Sequence, residues 1–342
     1  MPRHRILLTV AIGLTLLSTI SLLSTCSPVV DNGAISSWSG GLIIDHNCIN
    51  QRLIPSEWIE SAKNDVRIHY AHTSHGSQIT EGLTRLESAN STFDVSIGYL
   101  TLPTDDGALC ILDGNPPHDY ITPELYWQGT SARAITQNTI NNHPTLTISL
   151  WSWCCQLYDY SEAATQEYLD AMNTLETANL DITFIYMTCN AQSDDSSGYN
   201  RWLRNEQIRQ YCLANNKVLF DFADLDCWSD GEQSTYDYVV GEETIQIPIE
   251  HEDFNGDEAG HTTYTSCEQK GRAFWWMMAM LTGWNAPDST STTTISSGAG
   301  SSSTTTTGLT TEQLYLDNVI VFSAIAVAAL LVIYAGARRY YN

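Results

Sequence analysis

From about Asn32 to Pro287 the chain alternates short β-favouring apolar runs with longer stretches in which apolar residues recur at helical spacing. The runs near Val66–Ala71, Val95–Leu100, Leu146–Trp151, Ile182–Met187 and Val218–Phe222 read as strands. Helices fit around them at Ser56–Lys63, Ile79–Ser88, Thr130–Asn141, Glu162–Ala178, Arg201–Ala214 and Glu268–Thr282. In the last of these, Ala273, Met277, Met280 and Leu281 share one face and Trp275 and Trp276 widen it, which predicts a packing helix rather than a cofactor site. Such alternation predicts an α/β fold, a doubly wound parallel sheet covered on both faces, in one globular domain over residues 32–287. Ligands of such sheets bind beyond the carboxyl ends of the strands. The segments that follow the expected strands should therefore converge: His72-Thr73-Ser74-His75, Trp151 to Gln156, Thr188-Cys189-Asn190 and Asp224-Leu225-Asp226. The irregular stretch Thr101–Tyr126, rich in Asp and Pro, is expected to wall or lid the cleft.

The two ends follow other patterns. Arg3 and Arg5 precede the apolar run Ile6–Leu23, so residues 1–26 read as a signal peptide or an N-terminal anchor. Residues 288–311 are mostly Ser, Thr and Gly, which cannot bury enough apolar surface to offset chain entropy, and they read as a stalk. Residues 318–337 are apolar from Val319 to Ala337, long enough to span a bilayer, and Arg338 and Arg339 place the 338–342 tail on the cytoplasmic side. The expectation is a single-pass protein of the cell membrane with its domain outside. Asn90-Ser91-Thr92 supplies one N-glycosylation pattern.

Charge narrows the partners. With 39 acidic against 15 basic residues the formal net charge is −24, which disfavours nucleic acid and fits a solvated acidic surface. Of nine cysteines, eight lie beyond Cys26: Cys48, Cys110, Cys154, Cys155, Cys189, Cys212, Cys227 and Cys267. In an oxidising exterior most are expected to pair as disulfides, and the absence of a CxxC spacing makes a structural zinc site less favoured.

The candidate chemistry centres on VRIHYAHTSHGSQ, Val66–Gln78, where a β-favouring run ends in a small polar turn before a helix-like segment. That arrangement presents Ser74 clear of a sheet, beside helix N–H groups that stabilise negative charge. Only half of the G-x-S-x-G elbow is met, since His72 replaces the first glycine and Gly76 remains. A serine nucleophile needs a base, and the base needs a partner that fixes its tautomer. His261, in Asp257-Glu258-Ala259-Gly260-His261, lies between the last expected strand and the last helix, with Glu258 three residues before it.

The order of Ser74 after the first strand, a glycine after the second, polar residues after the third and acid-x-x-His late in the chain resembles the SGNH (GDSL-type) hydrolases over about Val66 to Gly283. HTSHGSQ, WSWC and KGRAFWW mark it as similar to a divergent exported branch. The resemblance implies a flavodoxin-like sheet and an esterase that uses no metal or other cofactor, with Ser74 as nucleophile, His261 as base and Glu258 as acid. It also implies an oxyanion hole. Its glycine would be Gly114, or Gly107 a few residues earlier. Its asparagine turn after the third strand is replaced by Trp151-Ser152-Trp153-Cys154, leaving Gln156 or Asn190 to supply the donor. One such donor is worth about 10²–10³ in rate.

Other constellations compete. His69, His72 and His75, with His261, evoke zinc, but strand geometry turns residues 69 and 72 to opposite faces. Asp253, Asn255 and Asp257 begin a calcium loop that Glu258 and Tyr264 leave incomplete. Trp127, Trp151 and Trp153 suit either a core or sugar stacking, with the core favoured. The expected function is therefore a membrane-tethered extracellular serine hydrolase acting on an ester-bearing small molecule or glycan, with deacylation of surface carbohydrate as one such reaction. The alternative is a non-catalytic glycan-binding module on the same fold.

Overall fold

A computed structural model of the chain describes residues 40–287. The expected leader at 1–26, the stalk at 288–311, the membrane span at 318–337 and the tail at 338–342 lie outside the described residues. Among the described residues no helix is long and apolar enough to cross a membrane.

Seven parallel strands form the central sheet: β1 (Leu42–Ile44), β2 (Arg67–Ala71), β3 (Val95–Tyr99), β4 (Leu109–Asp113), β5 (Ile148–Trp151), β6 (Thr183–Met187) and β7 (Val218–Phe220). Their order across the sheet is β1-β7-β6-β5-β2-β4-β3. The helices are α1 (Ser56–Asp65), α2 (Ser77–Ala89), α3 (Gly129–Asn142), α4 (Glu162–Ala178), α5 (Ser196–Ala214), α6 (Phe222–Cys227) and α7 (Tyr264–Leu281). Parallel neighbours require crossovers, and right-handed crossovers send α2 and α3 to opposite faces because β2 leads towards β3 on one side while β4 returns past β2 to β5. Helices α1, α2 and α7 pack together on one face, and α3, α4 and α5 on the other. The strands are accordingly apolar on both sides, and Leu109, Cys110, Ile111 and Leu112 of β4 are fully buried.

All five strands expected from the pattern are present, and the sheet has two more. β4 lies inside the stretch read as an irregular lid, and its apolar run is flanked by Asp105-Asp106-Gly107 and Gly114-Asn115-Pro116-Pro117, strong turn formers that hide so short a strand. Gly114 therefore follows the fourth strand of the sheet. β1 is only three residues long. Between β7 and α7 the chain also forms a two-residue ribbon, β8 (Trp228–Ser229) with β9 (Glu232–Gln233), and an antiparallel hairpin, β10 (Thr235–Val240) with β11 (Glu243–Pro248).

Trp127, Trp151 and Trp153 are buried with Tyr168 in one aromatic cluster, and the indole N–H groups of Trp151 and Trp153 donate to the carbonyls of Ile121 and Met187 (both 2.8 Å). Their rings are core, closed to a sugar. All eight described cysteines are free thiols, so none of the bridges expected from their number is formed. Cys154, Cys155 and Cys189 lie together, the first two with their sulfurs 3.8 Å apart, and others bond locally, as when Cys227 Sγ on α6 donates to the Ala223 carbonyl (2.9 Å).

Candidate active site

The winding reverses between β2 and β5, which are adjacent in the sheet but run out into loops on different sides of the reversal. A crevice opens at such a point beyond the strand ends. There the turn after β2 meets the turn after β5. Ser74 to Gly76 make a single 3-10 turn before α2, and Tyr70 Oη anchors it by donating to the Gly76 carbonyl (2.7 Å). Across from it, Ser74 Oγ is 3.4 Å and His75 Nδ1 3.0 Å from Cys154 Sγ.

His75 is buried, and its second ring nitrogen, Nε2, lies 3.1 Å from Gln192 Oε1. The Gln192 amide is oriented by its other end, where Nε2 donates to the His261 carbonyl (2.9 Å). A carbonyl can only accept, so Gln192 Oε1 is the atom facing His75. His75 Nε2 then carries the proton, and Nδ1 presents a lone pair to the Cys154 thiol. The Gln192 segment is itself held by the buried Arg201, which donates to the carbonyls of Gln192 and Pro248.

The Cys154 peptide is fixed at both ends. Its N–H donates to Gln156 Oε1 (2.7 Å), and its carbonyl accepts from Asn190 Nδ2 (2.5 Å) and Cys189 Sγ (2.8 Å). Electrostatics follow from these neighbours. Cys155, whose Sγ is 3.8 Å away, and after it His75 and Ser74 hold the Cys154 thiol well below its ordinary range, while Cys155 is pushed up in return. Burial pulls His75 down, but Cys154 and then Gln192 more than offset it, and its pKa is raised. Both shifts favour passage of the thiol proton from Cys154 to His75 Nδ1.

The expected residues are distributed as follows. Ser74 sits in the site. His261 arrives from the 259–262 turn, in which Gly260 (φ +56) and His261 (φ +69) are both left-handed and Ala259 and Thr262 pair across them. That turn packs onto Ser74: a Cβ on Gly260 would lie 2.9 Å from the Ser74 carbonyl oxygen. The His261 ring is half exposed and 4.9 Å from the His75 ring, centroid to centroid. Glu258 does not orient it. The Glu258 carboxylate accepts from the Tyr264 N–H (2.7 Å) at the start of α7, where a carboxylate is favoured by the helix end, and the acid nearest His261 is the exposed Asp257 at 3.6 Å.

The residues expected to build an oxyanion hole are otherwise engaged. Gly114 N–H donates to the Tyr70 carbonyl (2.9 Å), and Gly107 is exposed on its loop. Gln156 directs its carbonyl end to Cys154. Asn190 accepts from Tyr158 Oη (2.7 Å) and the Gln192 N–H (3.0 Å) while donating to Cys154, so both its ends brace the loop. The three histidines of the repeat are separated as strand geometry requires. His69 meets Ser149 (2.9 Å), His72 meets Asp113 (3.0 Å) and His75 meets Cys154. In the incomplete calcium loop Asp253 accepts from the Ser229 hydroxyl (2.8 Å), whereas Asp257 turns to His261.

Cys154 and His75 form no sequence motif. They are nearly eighty positions apart, and the signal that links them is that each lies just beyond a strand, on the two strands that flank the reversal. No family model matches the chain, and no curated protein matches it. The structure itself defines an α/β protein with a seven-stranded parallel sheet flanked by helices.

Proposed function

We propose that the protein is a hydrolase of carboxylic esters that works through a covalent intermediate on Cys154, with His75 as its base and Gln192 fixing the imidazole. The observation that carries this reading is the His75 Nδ1–Cys154 Sγ contact at 3.0 Å, with the far ring nitrogen held by Gln192. His75 takes the thiol proton, the thiolate attacks the ester carbonyl, and the imidazolium returns that proton to the leaving alkoxide. Water activated by His75 then hydrolyses the thioester. Ser74, 3.4 Å away, donates its hydroxyl hydrogen to the thiolate and tempers it. The fold supports the reading. With the edge strands β1 and β3 set aside, the order β4-β2-β5-β6-β7 is the flavodoxin-like 2-1-3-4-5, whose ligands sit at this reversal. The substrate class is an ester-bearing small molecule or glycan presented outside the membrane.

A second reading keeps Ser74 as nucleophile and His261 as base, as in the SGNH hydrolases. It is favoured by the packing of the Gly260–His261 turn on Ser74. Hydrolysis of a short-chain aryl ester by purified variants separates the two. Cys154→Ala is expected to abolish turnover, and Ser74→Ala to retain more than a tenth of it. The reverse ranking would assign the serine. A reduced, chelator-treated wild type inert on a broad ester panel and unreactive to both iodoacetamide and a fluorophosphonate would leave only the glycan-binding module.

A further inference from the structure

We propose that His75, Cys154 and Cys155 together form a binding site for a thiophilic divalent cation, with zinc as the ion whose geometry they fit. One ligand atom from each residue lies within 4.8 Å of the others. A tetrahedral zinc with Zn–S of about 2.3 Å and Zn–N of about 2.0–2.1 Å sets its sulfur ligands roughly 3.8 Å apart and sulfur from nitrogen roughly 3.5 Å. The two sulfurs already stand 3.8 Å apart, and Nδ1, at 3.0 Å from Cys154 Sγ, has to open by only about half an ångström to meet the tetrahedral spacing. Gln192 supplies the outer partner that a ligating histidine needs, since it holds the proton on Nε2 and so commits Nδ1 to the ion. The Cys154 peptide is clamped by Gln156 and Asn190, which removes much of the ordering cost of binding.

Three protein ligands leave a fourth position for water or for the half-exposed His261 imidazole, whose ring lies beside that of His75. On coordination the Cys155 thiol proton and the proton shared by Cys154 and His75 pass to solvent, leaving two thiolates and a neutral imidazole on the ion. The other ligand-bearing group among the described residues, Asp45, His46 and Asp224, is closed on itself: His46 Nδ1 sits on Asp224 Oδ2 (2.6 Å) and Asp45 caps Asn47. Cation binding stands whatever the protein catalyses. Its regulatory consequence rests on the thiol hydrolase reading, because an ion that takes the Cys154 lone pair leaves no nucleophile and makes zinc an inhibitor.

Cobalt(II) titrated into the reduced, metal-stripped full-length protein provides the test. The expected result is a near-ultraviolet thiolate-to-cobalt charge-transfer band that stoichiometric zinc abolishes. Cys155→Ser should weaken cobalt binding by about 100-fold or more, since even outer-shell partners of a metal are worth 10–100-fold. Alkylation mapped by mass spectrometry on the wild type gives a reading that needs no variant. Zinc should protect Cys154 from iodoacetamide, and alkylation of Cys154 unchanged by stoichiometric zinc would speak against the site. Absence of the band, or a band unchanged in both Cys154→Ser and Cys155→Ser, would overturn the metal site. Rapid alkylation of Cys154 without zinc bears on the nucleophile alone, so the two ideas can fail separately.

Discussion

At the scale of single residues, the candidate site is held by side chains that brace Cys154 from behind. Asn190 is buried and holds Cys154, Tyr158 and Gln192 in register through four hydrogen-bonding contacts, the fourth a weak one to Cys189 Sγ. Asn190→Ala would leave Tyr158 Oη and the Cys154 carbonyl short of a partner in a closed environment, at a cost of about 1–3 kcal/mol. Urea unfolding should register that loss, and kcat/KM for the aryl ester should fall at least about tenfold because a small misplacement of the nucleophile is costly. A variant with wild-type kinetics would show that Cys154 needs no such brace. Glu258 makes the opposite case. Its carboxylate caps α7 and leaves His261 alone, so Glu258→Gln should keep kcat/KM within about twofold, whereas a triad carboxylate would lose orders of magnitude, up to roughly 10⁴. Measuring that one ratio decides whether the acid-x-x-His spacing is catalytic or helix-terminal.

Elements meet as closely as their smallest residues allow. Where α2 crosses α7, a Cβ on Gly82 would come within 1.9 Å of the Cys267 carbonyl oxygen, and one on Gly271 within 2.8 Å of Gly82 itself. Backbone on both sides cannot move aside, so Gly82→Val should destabilise by about 1–3 kcal/mol or more despite valine's better helix propensity, seen as a lower urea midpoint. The expectation fails if the midpoint is unchanged. Both glycines stand inside clear helical patterns, and nothing in the pattern says that they face one another. The same limit decides what was legible at this scale. Apolar periodicity located five strands and most of the helical turns, because burial on both faces of a parallel sheet writes itself into each segment separately. It did not locate β4, whose four apolar residues lie among turn formers, nor the hairpin β10–β11, where Tyr236, Tyr238, Ile245 and Ile247 alternate at strand spacing but stand outside the strand–helix alternation of the sheet. The site was legible to the same degree. Ser74, at the end of one strand, was visible locally, while the Cys154–His75 pair exists only once β2 and β5 lie side by side. His261 illustrates both sides, since its place near Ser74 followed from chain order but its left-handed backbone and its distance from Glu258 depend on a four-residue turn.

For the molecule as a whole, the excess of acid that gives the formal charge of −24 does not stop at the surface. Behind the site, Lys270 on α7 is fully buried against Asp226 (2.6 Å), and Asp226 in turn accepts from the Ala191 N–H (2.9 Å) beside the Gln192 loop. Glu250 enters the same group and accepts from Thr262 Oγ1 (3.1 Å). Asp226 alone pairs with the ammonium, and Glu250 feels both of their charges. Burial first, and then the Asp226 charge, push Glu250 up to about 7 from 4.5, with Lys270, Thr262 and Gln192 opposing. The sign of the effect on stability follows directly. Below 4.5 Glu250 is protonated in both the folded and the unfolded chain. Between 4.5 and about 7 only the folded chain keeps the proton, so the raised pKa contributes stability that is full at the acid end and is lost as pH rises through about 7. General repulsion among the surface carboxylates also grows in that interval, and comparison with Glu250→Gln removes it, because glutamine mimics the protonated acid at every pH and leaves the remaining charges in place. The urea midpoint of the wild type should fall relative to that of Glu250→Gln steadily from pH 5 to about 7 and level off above it. Parallel curves would mean that Glu250 keeps the same pKa folded and unfolded, and a wild type that gains on the variant as pH rises would mean that Lys270 holds it ionised.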